Sequence, residues 1–148
     1  MFAIDLRTNE PRSPHDELGG IKLLARIIDK ARATILGTQG QYIFFDCPLD
    51  RVFFDAIDVS ADEFLEVLRC AYLSHRSCNA NALADLRESL ESMPQISDDR
   101  FFAFMESRDA DSAALTWLIE QRRTPASVLA AINAAVDCLP PEAFVDWA

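Results

Sequence analysis

Lys22, Arg26 and Lys30 recur at i, i+4 and i+8, the spacing that lines side chains along one helix face. They do so in a chain of formal net charge −10, and Lys22 and Lys30 are its two lysines. An arginine grips a carboxylate or phosphate through two parallel hydrogen bonds, whereas lysine acts as a point charge. Arg12, flanked by Pro11 and Pro14, is a fourth cation that a stiffened leader could deliver to the strip. The chemistry on offer is recognition of an acidic group on a small molecule or a partner protein. The plainer reading is a solvated face paired with Asp16, Glu17 and Asp29, each pair contributing at most about 1 kcal/mol.

A second group follows at Asp46-Cys47-Pro48-Leu49-Asp50, with Tyr42 just before it. A thiol at a helix start feels the positive end of the dipole, which favours thiolate. With His15 as a base it would form a two-residue Cys–His arrangement, so Cys47 and His15 are candidate catalytic residues of an enzyme doing nucleophilic or acid–base work. Asp46 and Asp50 oppose a thiolate, and the ordinary reading of Cys47 is a helix cap. Cys70, His75 and Cys78 supply zinc-compatible atoms, but C-x4-H-x2-C is no recurrent zinc spacing, and no metal or cofactor is assigned. No GxGxxG, Walker, GxSxG or HExxH pattern occurs.

Positioning these groups falls to short helices. Pro11, Pro14 and Gly19-Gly20 make residues 1–20 an extended arm ending in a turn. Ile21 to Leu36 follows as an amphipathic helix. Leu24, Ile27, Ile28, Ala31 and Ile35 form its core stripe, Lys22, Arg26, Asp29, Lys30 and Ala33 lie opposite, and Gly37 ends it. Residues 41–46 are extended or a brief strand. Helices are then expected from Cys47-Pro48 to Ile57, from the Ser60-x-x-Glu63 capping box to Leu73, and over residues 81–93, 97–107, 109–123 and 125–139, with a last turn carrying Phe144 and Trp147. Two adjacent aromatics, as in Phe53-Phe54 and Phe101-Phe102, cannot both face one core from a helix, although core filling is the preferred role for these rings. The helix over 125–139 is apolar nearly all round, with Asp137 its charge, which predicts a central place in the bundle or else a dimer contact.

At 148 residues, half of them apolar, one domain with its own core is expected. Nothing resembles a signal peptide or a membrane span of roughly 18 apolar residues. The four cysteines read as reduced thiols, so a soluble, cytoplasmic protein is expected. Acidity concentrates beyond residue 60, where seven Lys/Arg face fifteen Asp/Glu. That balance argues against nucleic acid.

The leader and first helix also resemble an uncharacterised bacterial family, the domain of unknown function numbered 5069. The residues that carry the likeness are Asp5-Leu6, Pro11-Arg12-Ser13-Pro14, Leu18-Gly19-Gly20, Ala25-Arg26, Ile28-Asp29-Lys30, Arg32-Ala33, Gly37, Gly40, Tyr42 and Cys47-Pro48-Leu49-Asp50, within about residues 4–64. A weaker echo runs from Ser107 to Asn133 and includes Trp117, while about 70–104 departs from the pattern as extra helical material. The resemblance implies a small, mostly helical domain and no established activity.

The expectation is therefore an all-α domain, a compact orthogonal bundle of about seven short helices behind an extended N-terminal arm. Its function is read as binding of an acidic small molecule or partner through Arg12, His15, Arg26, Lys30, Tyr42, Asp46 and Asp50. The alternatives are the Cys47/His15 enzyme and a structural protein that dimerises through the helix over 125–139.

Overall fold

The computed structural model describes residues 5–76, 103, 107 and 109–139. The chain is mostly helical, with five helices and a two-stranded sheet among the described residues rather than seven helices. The helices expected over 81–93 and 97–107, the Phe101-Phe102 pair and the last turn at Phe144 and Trp147 lie outside the described residues.

The arm leads into a hairpin. Strand β1 (Glu17–Leu18) pairs antiparallel with β2 (Ile21–Lys22), Glu17 opposite Lys22 and Leu18 opposite Ile21. Gly19 and Gly20 both sit at positive φ, as a two-residue loop with the twist of the flanking strands requires. A Cβ on Gly19 would also lie 2.7 Å from the Leu115 side chain, so glycine is needed there for space as well as for φ. This hairpin corrects the expected helix start. Helix α1 is Leu24–Leu36, entered through a left-handed Leu23 whose N–H bonds the Pro14 carbonyl at 2.9 Å. Ile21 pairs with Leu18 in the sheet instead, and the Lys22 N–H donates to Asn133 Oδ1 of the last described helix at 2.8 Å.

Gly37 ends α1 as expected, in the left-handed region with its N–H on the carbonyls of Ala33 and Thr34. Tyr42 to Asp46 form no strand, because they find no strand partner and close on themselves through Tyr42 N–H to Gln39 O and Asp46 N–H to Phe44 O. Helix α2 is Pro48–Ile57, with Cys47 at its N-cap and proline first in the helix. Helix α3 is Ala61–Arg76, where the Glu63 N–H donates to Ser60 Oγ at 3.2 Å, one half of the expected capping box. Helix α4 (Asp109–Thr116) continues into a π-helical turn at Trp117–Gln121, and α5 is Ala126–Asp137.

Helix α1 packs on α3 and α4, while α2 and β2 pack on α5. One apolar cluster runs through Ile27, Ile28, Leu49, Phe53, Phe54, Phe64, Leu68, Leu118, Ile132 and Val136. Phe53 and Phe54 both belong to it, their rings edge-on at 5.4 Å, with Phe44, Phe45, Phe64 and Trp117 extending the stack. Aromatic pairs in these tilted arrangements add about 0.5–1.5 kcal/mol each beyond area burial. Helix α5 is not central. Ile132 and Val136 are its buried residues, and Ala130, Ala131 and Ala134 face outward. Its alanines give weak burial energy, so the bulky aromatics of α2 and α3 hold the middle. No helix among the described residues is long and apolar enough to cross a membrane.

Candidate functional site

The charged residues of α1 turn inward. Arg26, Asp29, Lys30 and Arg32 are all buried, so the expected solvent-facing cationic strip does not exist. Lys22, in β2, is not on α1 at all, and its Nζ pairs with Asp137 of α5. The arm and the 38–50 segment cover the face that hydrophobic spacing left open; Asp29, Lys30 and Arg32 each lie in an ion pair there, whereas Arg26 makes none among the described residues.

Two charged clusters result. The first joins the arm to α1 and α4. Arg12 donates from Nε and Nη2 to the two Asp29 oxygens at 3.0 and 2.9 Å, and from Nη1 and Nη2 to the two Asp111 oxygens at 2.9 Å each. Its Nη2 also reaches the Ala25 carbonyl, and its backbone N–H bonds Asp29. Arg32 Nη2 lies 2.6 Å from Asp29, and its Nη1 donates to the Ser107 carbonyl. Burial works against the Arg12 cation, but the bonds to Asp111 and Asp29 outweigh it and hold its pKa above the ordinary value. Two arginines against two aspartates leave this node neutral.

The second cluster lies where α1 meets the 38–50 segment. Lys30 Nζ and Asp50 Oδ2 are 2.8 Å apart, both side chains 0% exposed. Arg26 follows one turn earlier at 6% exposure, with its charge acting on Asp50, its Nη1 on the Arg12 carbonyl and its guanidinium 5.8 Å from the Tyr42 ring centre. Asp50 Oδ2 also accepts the Phe45 N–H at 3.0 Å, and Phe45 is held at φ 74°, a left-handed conformation that costs a non-glycine residue about 1–3 kcal/mol. Burial pushes the Asp50 carboxyl above its usual range, and Lys30, the Phe45 N–H and Arg26 offset this only in part.

Here the polar accounting does not close. Among the described residues, Arg26 Nε and Asp50 Oδ1 are buried without a hydrogen-bond partner, and Lys30 Nζ, equally buried, has its 2.8 Å contact with Asp50 Oδ2 and no further acceptor. An unpaired buried polar group costs about 1–3 kcal/mol, more when charged. Two such atoms beside one ion pair are two missing partners. Two cations and one carboxylate leave the cluster at a net charge of +1.

The other expected residues fall as follows. Tyr42 is half-buried against Arg26, and Asp46 is exposed. Arg12 is consumed by the neutral node. His15 is exposed on the arm, its N–H on Ser13 Oγ. Cys47 is 3% exposed inside the apolar cluster, which is the packing of a small hydrophobe rather than of a solvent-reachable nucleophile. Burial of the thiol and exposure of the imidazole give the Cys–His arrangement no geometric support. Cys78 lies outside the described residues, and no group of three metal-ligating side chains occurs among the described ones. Asp111 and Arg32 are the residues that sequence reasoning missed. Arg32 falls beside the assigned stripe, and nothing local to Asp111 shows that it meets an arginine 99 residues away.

No curated protein and no solved structure matches this chain. The family model described as a domain of unknown function (DUF5069) matches residues 8–88, reaching from the Arg12 arm through the Arg26–Lys30–Asp50 cluster into the segment beyond α3. That match spans more than half of the 148 residues, and the chain belongs to this family.

Proposed function

We propose that this protein is a binding module for a small molecule or partner group bearing an anionic oxygen, held by Arg26 and Lys30 beneath the 38–46 loop. One observation carries the reading: among the described residues Arg26 Nε is a buried donor without an acceptor and Lys30 Nζ has Asp50 alone, in a cluster with one positive charge too many. An arriving anion supplies both the acceptors and the countercharge, so its binding free energy includes relief of the desolvation cost at Arg26 Nε. The Tyr42 ring on Arg26 and the Phe45 N–H on Asp50 form the roof, and entry runs through displacement of this irregular segment. Its strained Phe45 lowers the cost of opening. The reading sits within a cytoplasmic protein whose thiols stay reduced. Cys47 and Cys138 are free thiols, which is compatible with it.

The test is thermal unfolding of the whole chain against phosphorylated and carboxylated small molecules, with Arg26→Met beside it. Arg26 makes one long hydrogen bond to the Arg12 carbonyl, so the variant loses only about 1 kcal/mol of stability. The expected result is stabilisation of the wild-type protein by a subset of the anions and loss of that response in the folded variant. A response that survives Arg26→Met removes the site.

A further inference from the structure

Building on that reading, we infer that the ligand is an oxyanion carrying its own hydrogen-bond donor, such as a phosphate that keeps an O–H or a carboxylate with an adjacent hydroxyl or amine. The unpaired acceptor decides this. Asp50 Oδ1 is an acceptor, buried and without a donor, and it belongs to the carboxylate that Lys30 approaches at 2.8 Å. A ligand with acceptors alone satisfies Arg26 Nε and Lys30 Nζ but sets its lone pairs and charge against those of Asp50. In a dry site that repulsion is weakly screened. A ligand that is acceptor on one side and donor on the other closes the accounting at all three atoms. The second Asp50 oxygen is already committed to the Phe45 N–H, so Oδ1 is the atom left to receive the ligand's proton.

The same arrangement sets selectivity. A site built to hydrogen-bond an O–H or N–H rejects the analogue that lacks it, because its own buried group is then stranded. Size alone would not separate phosphate from sulfate, and charge alone would not separate glycolate from acetate. Asp50 separates both pairs, because the first member of each donates and the second does not.

The experiment compares inorganic phosphate with sulfate, and glycolate with acetate, at equal ionic strength near neutral pH, by calorimetry and by thermal shift on the intact chain. Phosphate and glycolate are expected to bind at least about tenfold more tightly than their partners. In Asp50→Asn the introduced amide can donate as well as accept, and the preference should collapse toward unity. Should that variant not fold, the two wild-type comparisons alone decide the matter. Equal binding of all four anions overturns the donor requirement and leaves the anion site standing. Binding of none overturns both. A preference that persists unchanged in folded Asp50→Asn removes Asp50 as its source.

Discussion

Two clusters of buried charge lie along one helix, and they are built to opposite standards. Around Arg12, two arginines meet two aspartates, Arg12 gripping each carboxylate in a two-bond fork and Arg32 adding a contact to Asp29, and the net charge is zero. Around Lys30, two cations meet one carboxylate, and among the described residues Arg26 Nε and Asp50 Oδ1 lack hydrogen-bond partners. The first is what a fold needs in order to fasten a leader to α1 and α4. The second is worse than an apolar core would be at the same place, since a buried ion pair seldom improves on well-packed hydrophobic residues.

The largest expected effect comes from breaking the fastening. Arg12→Ala strands Asp29 and Asp111 beside Arg32 and should cost about 3–5 kcal/mol in urea unfolding. A loss under about 1 kcal/mol would mean that the forks are no stronger than surface pairs, and the contrast would fail.

The Lys30 cluster should behave differently when both partners are removed. Asp50→Leu alone leaves Lys30 charged and dry, and about 3–5 kcal/mol should be lost. In Lys30→Met/Asp50→Leu the charges go together, and stability should return to within about 2 kcal/mol of wild type, the remainder being the stranded Phe45 N–H. The anion response should not return. A double variant as unstable as the single one would make this pair a fastening too.

The smallest effect is in pH. The Asp50 carboxyl titrates higher in the fold than in the unfolded chain, whose ordinary value is about 3.9. Between those two values the folded chain holds more protons than the unfolded one. This group's contribution to stability therefore falls as pH rises through the window and is constant above it. Asp50→Asn removes the contribution, so variant-minus-wild-type stability should climb from about pH 4 and then level off. A difference curve that is flat or descending there would show that burial does not dominate at Asp50.

Much of the frame was legible in the sequence because it depends on neighbours a few residues apart. The Gly37 stop, the Cys47-Pro48 helix entry and the Ser60 cap are local hydrogen-bond or dihedral requirements, and each stands as expected. The start of α1 was misplaced by three residues because Gly19-Gly20 closes a hairpin as well as ending an arm. Helix α5 was placed too deep because hydrophobic composition does not measure how much surface an alanine can bury.

By itself the sequence determined which of the described segments are helical, where several of them begin and end, and that cations gather near the leader. Those facts follow from periodicity, capping and composition. The tertiary structure alone decided that Arg26 and Lys30 point inward, that Arg12 is spent on Asp29 and Asp111, and that Cys47 is sealed in the core. Burial and countercharge depend on what lies across the fold, and an aspartate 99 residues away cannot be read from helical spacing.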